Sequence, residues 1–135
     1  MKRSLFIFVL LLVMSIALAA CGGNSAATNI KVNMTEFTFT PTEFTIPAGE
    51  QITITAVNDG AVEHEFVIMK LGTNVGEDFG DEDEANIYWE VEAEAGESKT
   101  ETFTAPSEPG EYQLVCGTEG HYVAGMVGKL TVVAP

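Results

Sequence analysis

Four side chains with soft or nitrogen donor atoms are spaced in a way that predicts a single metal centre. Cys116, His121 and Met126 follow one another with four residues in each gap, and His64 lies further upstream. A thiolate, two imidazoles and a thioether are the ligand set of a mononuclear copper centre for electron transfer, in which the Cys and both His share a plane and the Met is a weak axial ligand. The spacing therefore predicts one copper ion that cycles between Cu(I) and Cu(II).

Each of these residues also has a purely structural explanation. A lone His is more often a core or surface residue, and Met and an unpaired Cys commonly fill apolar space. Zinc also binds Cys and His, but it is redox-inert and would leave Met126 without a role. Copper is favoured because both His residues of the chain and one of its two Cys residues take part in the same pattern.

The elements that must hold these residues are strands. From Ile30 onward apolar and polar residues alternate with period two, and turn signals recur about every eight to twelve residues, which indicates an all-β domain. About eight short strands without helical periodicity favour a two-sheet Greek-key sandwich. The predicted strands are residues 36–40, 44–46, 51–57, 64–70, 87–93, 99–104, 111–116 and 127–133.

This strand pattern predicts that three of the ligands share one loop. Leu114 and Cys116 alternate onto the same side of a strand that ends at Cys116. The chain then turns back past His121, and Met126 lies where the last strand begins. His64, at the start of an earlier strand, would join this loop to the rest of the sandwich and make the cage rigid.

The residues from Tyr112 to Gly128 resemble the ligand loop of the cupredoxins, the blue copper proteins that include plastocyanin, azurin and auracyanin. The four-and-four spacing is most similar to the auracyanins. Residues 39–49 resemble the early strands of this family, and the turn at residues 58–60 lies just ahead of its first His ligand. The resemblance covers roughly residues 30–133. It implies an electron carrier with a type 1 copper site whose ligands are His64, Cys116, His121 and Met126.

One position departs from the family pattern. Many cupredoxins carry Asn after the first His ligand, where it helps to brace the Cys loop, but this chain has Glu65 there. Either another group braces the loop or the site is altered. Glu63 and Glu65 flank His64, and both are expected to point away from its face because successive strand side chains alternate. A carboxylate ligand in place of Met126, as in red copper variants, is the alternative.

Composition narrows the possible functions. Six Lys and Arg against twenty Asp and Glu give a net charge of -14, which excludes a nucleic-acid binder because phosphate recognition needs clustered cations. A copper nitrite reductase or oxidase needs further copper centres, and two His residues cannot supply their ligands, so we expect no enzymatic activity. Copper storage or delivery is the alternative function, although the sequence contains no Met-rich or His-rich tract.

The N-terminus indicates export. Lys2 and Arg3 precede an apolar run over residues 5–18. As a helix this run would span about 21 Å, short of the roughly 30 Å bilayer core, so we predict a secretory signal peptide over residues 1–20 and not a transmembrane helix.

The residues that end at Cys21 (LAAC) resemble the lipobox of bacterial lipoproteins, which implies cleavage before Cys21 and a lipid on its sulfur. Ordinary cleavage after Ala20, leaving a free thiol, is the alternative. We predict that residues 21–29 are the lipidated Cys and a flexible tether, and that residues 30–135 are the cupredoxin domain. The protein would be anchored to the outer face of the cytoplasmic membrane or lie in the periplasmic space.

Two segments are candidate docking surfaces. Tyr122, Val123 and Ala124 adjoin His121 and, with residues 60–62, would form a small apolar patch over the copper, unless they pack inward. By resemblance, electrons would pass through the exposed edge of His121.

The second segment is acidic. Carboxylates cluster over residues 77–84 and recur at Glu90, Glu92, Glu94 and Glu97. This is either a solvated surface or one that steers a cationic partner. The expected partners are redox proteins such as a basic cytochrome c or a membrane electron-transfer complex.

Overall fold

The computed structural model describes residues 25–135. The predicted signal peptide, the predicted lipidation at Cys21 and the first part of the predicted tether lie outside the described residues. The described chain contains nine strands and one short helix: β1 (Asn29–Thr35), β2 (Thr38–Thr40), β3 (Glu43–Pro47), β4 (Gln51–Asn58), β5 (His64–Met69), α1 (Asp81–Glu84), β6 (Ile87–Ala93), β7 (Ser98–Thr104), β8 (Gly110–Val115) and β9 (Val127–Val133).

The strands form two sheets. One sheet has the strand order β2-β1-β4-β7, and the other has the order β3-β9-β8-β5-β6. The β1–β4 and β3–β9 pairs are parallel, and the remaining recorded pairs are antiparallel. The predicted all-β, two-sheet sandwich is confirmed, with nine strands where about eight were expected.

The additional strand lies at the start of the domain. β1 covers Asn29–Thr35 and pairs with β4, whereas the alternation predicted a first strand over residues 36–40. Only Thr38–Thr40 of that stretch is paired, and Glu36 and Phe37 form the turn between β1 and β2. Alternating polar and Phe residues fit a strand and a tight hairpin equally well, so the pattern did not reveal the turn.

Backbone hydrogen bonds attach the end of the predicted tether to the sandwich. The Ala27 N–H donates to the Thr45 carbonyl (3.0 Å), and the Thr53 N–H donates to the Thr28 carbonyl (2.8 Å). The contacts of the domain therefore begin a few residues before Ile30.

The core follows the alternation of the strands. In β4, Ile52, Ile54 and Ala56 are fully buried, while Thr53 and Thr55 between them are only half-buried. A strand that places every second side chain inward gives its apolar set to the space between the sheets. The apolar residues of β4 therefore share one face, as the alternation in the sequence predicted.

Three Phe rings connect the sheets near the strand that carries His64. Phe66 of β5 lies edge-on to Phe39 of β2, with 5.3 Å between ring centroids, and to Phe44 of β3, with 5.6 Å. Such pairs contribute about 0.5–1.5 kcal/mol each beyond the area that they bury. Because Phe66 contacts both sheets, the start of β5 at His64 has a fixed position.

The acidic segment over residues 77–84 is not a loop throughout, because its last four residues form the single-turn helix α1. Asp83 in this helix is buried, and its Oδ2 accepts the Gly80 N–H at 3.1 Å. Among residues 25–135, no helix has the length and apolar character needed to cross a bilayer.

A buried amide fixes the end of β4. Asn58 is 1% exposed, and its Nδ2 donates to the carbonyls of Val62 (2.7 Å) and Ala93 (2.9 Å). Its Oδ1 accepts the Gly60 N–H at 2.8 Å. These bonds fold the segment ahead of His64 onto β6 and so set where β5 begins.

Replacing Asn58 by Ala should lower the free energy of unfolding by about 2–4 kcal/mol, because two carbonyls and one N–H lose their partner. Equilibrium unfolding in urea measures this change. Asn74→Ala is the matched control, since Asn74 is exposed in the loop after β5, and it should shift stability by less than about 0.5 kcal/mol. Equal stabilities of the two variants would contradict the anchoring role of Asn58.

Candidate metal centre

Three donor atoms from two parts of the chain converge in the interior. The Nδ1 atoms of His64 and His121 are 3.1 Å apart, and the Sγ atom of Cys116 lies 3.9 Å from the former and 3.4 Å from the latter. His64 and Cys116 have no exposed surface, and His121 is 8% exposed. The structure thus brings together the Cys and the two His that the sequence predicted as ligands.

The separations fit a single metal ion. Metal ions bind imidazole nitrogen at about 2.0 Å and thiolate sulfur at about 2.3 Å, so two donors of one ion stand about 3–4 Å apart. All three measured distances fall in this range. One thiolate with two imidazoles is a donor set suited to copper.

Burial disfavours the charged forms of Cys116 and His64 unless a cation is present. Desolvation raises the pKa of the Cys116 thiol, and desolvation together with the nearby His121 lowers the pKa of His64. Both shifts favour the uncharged side chains. A bound cation reverses the preference at Cys116 by stabilising the thiolate, and the neutral His64 is already in the form that binds metals.

The loop between Cys116 and Met126 is closed by its own backbone. The Cys116 N–H donates to the Met126 carbonyl at 3.1 Å, and the Met126 N–H donates to the His121 carbonyl at 3.0 Å. Gly120 and Gly125, each directly before a predicted ligand, have φ angles of 78° and 98°. Gly adopts such angles at no steric cost, so these two residues let the loop turn tightly enough to aim its side chains at one point.

Met126 is fully buried at the end of this loop, immediately before β9. Its backbone hydrogen bond with Cys116 holds the two residues side by side. This position suits the predicted weak axial ligand, and that specific role remains a prediction.

The Cys loop is braced without the Asn that many cupredoxins use. The Oγ1 of Thr118 lies 3.4 Å from the Cys116 Sγ and donates to the Glu63 carbonyl at 3.2 Å. The backbone N–H of Glu65 also donates to the Cys116 Sγ at 3.4 Å. A loop hydroxyl and the backbone around His64 therefore hold the sulfur in place.

The Glu65 carboxylate lies outside the donor cluster. As expected from strand alternation, it turns away from His64 and approaches Gly117. The cluster that contains Cys116 includes no carboxylate among the described residues. The geometry therefore gives no support to a carboxylate ligand in place of Met126. The Glu65 side chain instead lines an open cavity of about 440 Å³ together with Phe79, Glu84, Ile87, Glu90, Glu92 and Gly117.

The turn between β1 and β2 contacts both imidazoles, which was not predicted from the sequence. The ring of Phe37 lies edge-on to that of His121, with 5.0 Å between centroids and an interplanar angle of 71°. The Oε1 of Glu36 lies 3.9 Å from the Nε2 of His64. No sequence signal marks these contacts, because they depend on how the turn folds over the ligand loop.

The predicted docking residues differ in exposure. Val123 is 64% exposed and Ala124 is also exposed, whereas Tyr122 is half-buried and donates its hydroxyl to the Val75 carbonyl at 3.2 Å. Phe37 adds a further exposed apolar side chain beside His121. Val123 and Ala124 thus do not pack inward, and the docking role of this surface remains a prediction.

Comparisons with known proteins agree with this geometry. A family model for a cupredoxin-like domain matches residues 5–132. Auracyanin-A of Chloroflexus aurantiacus is 34% identical in a match that covers 98% of this chain and 99% of the relative. The copper-resistant cuproprotein CopI of Rubrivivax gelatinosus is 32% identical over 99 residues, which cover 70% of this chain and 59% of the relative.

A solved structure is also similar to this chain. The dithionite-reduced auracyanin of Roseiflexus castenholzii superposes with a TM-score of 0.69 at 34% identity, covering 81% of this chain and 99% of its own. These similarities and the positions of His64, Cys116, His121 and Met126 identify a type 1 site for one copper ion. The chain belongs to the cupredoxin-like family.

Proposed function

We propose that this protein is a blue copper electron carrier that is exported, tethered to a membrane by a lipid, and shuttles single electrons between redox partners outside the cytoplasm. The observation that carries the proposal is the convergence of one sulfur and two imidazole nitrogens, all within 3.9 Å of one another, in a buried cage. Copper bound in such a cage supplies a reversible one-electron couple.

The chain's part in electron transfer is to resist rearrangement. His64 is fixed by β5, and Cys116 is held by backbone contacts on both sides. The loop that carries His121 is closed by its own hydrogen bonds. Donors that stay in place when the charge at their centre changes keep the reorganisation small, which favours fast exchange.

His121 is the ligand best placed to pass electrons. Among the described Cys and His that would hold the ion, it alone has measurable exposure; the exposed Phe37 lies against its ring, and the exposed Val123 is two residues further along the chain. A small patch of exposed apolar side chains such as Phe37 and Val123 suits transient redox docking, since such encounters bury little area. In this proposal a partner docks over His121, with Tyr122, Val123 and Ala124 as part of the contact.

The acidic surface on β5 and β6 supports a cationic partner. Glu65 lies opposite Glu92 across the two strands, and Glu90 follows on the same face. Burial, followed by the charge of Glu90, raises the pKa of Glu65. Like charges placed side by side destabilise a fold, so a cluster of them that is retained favours a role in binding. Beside the Cys loop, this cluster would attract a positively charged protein, such as a basic cytochrome c or a membrane electron-transfer complex.

The tether is part of the proposal. The first recorded contact of the described chain with the sandwich is at Ala27. A lipid on Cys21 would be joined to that point by six residues, which reach at most about 20 Å. The domain would thus stay close to the membrane surface.

Copper storage or delivery is a second candidate, because one relative carries the name copper-resistant cuproprotein. Rapid, repeated electron exchange distinguishes a carrier from a storage protein, in which binding alone matters.

Cu(II) added to the purified protein should produce an intense visible band from thiolate-to-copper charge transfer, at one copper per chain. The band should disappear on reduction and return in full on reoxidation. Cys116→Ser should abolish it, whereas the control Cys21→Ser should keep it. A band that survives Cys116→Ser would contradict the site, and a colour that returns incompletely after each cycle would favour storage or delivery.

Met126→Leu should keep a coloured protein and raise its reduction potential, because the loss of a weak thioether donor destabilises Cu(II) more than Cu(I). Spectroelectrochemical titration gives the potential. Met69→Leu is the matched control, since Met69 is equally buried in β5 but belongs to a different apolar cluster. If both variants retain the native spectrum and potential, Met126 is not an axial ligand.

Electron exchange with a basic cytochrome c should slow as ionic strength rises, because long-range attraction between opposite charges is screened by salt. The double variant Glu90→Gln/Glu92→Gln should lower the low-salt rate constant by about tenfold. Stopped-flow absorbance measures the rate. Glu50→Gln/Glu101→Gln removes the same charge away from the β5–β6 face and should have a much smaller effect; equal effects of the two pairs would refute a specific docking surface.

A further inference from the structure

One nitrogen in the centre lacks a hydrogen-bond partner within residues 25–135. His64 directs Nδ1 towards His121 and Cys116, so the proton of the neutral ring must lie on Nε2. This Nε2 is buried and has no partner among the described residues. A buried N–H that lacks an acceptor costs about 1–3 kcal/mol, so an acceptor close by would be used.

A carboxylate lies next to this nitrogen. The Glu36 Oε1 is 3.9 Å from the His64 Nε2, about 1 Å longer than a charge-assisted hydrogen bond. Glu36 is in the turn between β1 and β2, and its side chain is 36% exposed. The Glu36 carboxylate is therefore a candidate acceptor for this N–H, and a side-chain rotation that shortens the distance by about 1 Å would complete the bond.

The backbone around the carboxylate is shaped to admit it. A Cβ at Gly60 would lie 2.7 Å from the Glu36 Oε1 and 2.8 Å from the His64 Nε2, so any larger residue would separate the two groups. The Ala61 N–H donates to the same Oε1. Asn58 in turn holds the Gly60 N–H. Asn58 at the end of β4, with Gly60 and Ala61 just after it, thus positions the acid against the ligand.

We propose that Glu36 is a positioning residue that accepts the Nε2–H of His64 in the copper-loaded protein and, through its negative charge, lowers the reduction potential of the centre. The inference rests on the copper site described above.

Two effects act in the same direction. An acceptor on the outer nitrogen fixes the orientation of the ring and makes the metal-facing nitrogen a stronger donor. A negative charge on that side also stabilises the divalent ion more than the monovalent one. Among the described residues, the carboxylate recorded within 4 Å of a ligand imidazole is that of Glu36, at His64.

The test compares Glu36→Gln with Glu50→Gln. The first variant keeps the size of the side chain and an acceptor oxygen but removes the charge beside His64. The second removes one charge from the turn before β4, at the opposite end of that strand from Asn58. We expect Glu36→Gln to shift the Cu(II)/Cu(I) ratio at fixed potential at least tenfold towards Cu(I), equivalent to 59 mV for one electron, while Glu50→Gln shifts it much less because distant exposed charges are screened.

A second measurement is independent of the potential. In the diamagnetic Cu(I) protein, the Nε2–H proton of His64 should resonate at low field in the wild type and move upfield in Glu36→Gln, since a neutral acceptor makes a weaker bond. Glu50→Gln should leave it in place. Gly60→Ala should raise the potential by displacing the carboxylate, and should add little to Glu36→Gln in a double-mutant cycle.

A Glu36→Gln protein that keeps its colour but shows the potential and the Nε2–H resonance of the Glu50→Gln control would overturn this inference and leave the copper site intact. A wild-type protein that develops no charge-transfer band would instead refute the proposed carrier itself.

Discussion

The centre depends on one constraint: three donor atoms are pressed together in a region that water does not reach. Two imidazole nitrogens 3.1 Å apart and a sulfur 3.4 Å from one of them present lone pairs to a common point. Without a cation this arrangement is unfavourable, as the raised pKa of Cys116 and the lowered pKa of His64 indicate. The surrounding sandwich must therefore be stable enough to hold the donors in place, and the contacts of Phe66 with both sheets serve that end.

Two rigid parts of the domain hold the ligands in position. His64 starts a strand whose position is set by core packing and by the amide of Asn58. Cys116 and His121 belong to a loop that is closed by its own backbone, and Thr118 links that loop to the carbonyl of Glu63. This link performs the task that an Asn after the first His has in many cupredoxins, so the replacement by Glu65 does not leave the loop unsupported.

Local chemistry made the fold class and the ligand set predictable. Period-two alternation marked most strands, and the spacing of Cys116, His121 and Met126 marked the ligand loop because donors of these types rarely coincide. The turn at Glu36 and Phe37 was not predictable, since its residues alternate like those of a strand. Asn58 looked like an ordinary turn former, and its burial depends on contacts with the distant Ala93, which no local pattern encodes.

The unequal exposure of the ligands has a consequence for metallation. His64, Cys116 and Met126 are sealed, and His121 alone among these residues reaches the surface, at 8%. We therefore expect an ion that enters or leaves the folded protein to pass the edge of His121, beside Phe37, since this is the most accessible part of the donor set. If a redox partner docks at this face as proposed, it would also cover the route by which the ion exchanges and would protect the loaded centre from chelators.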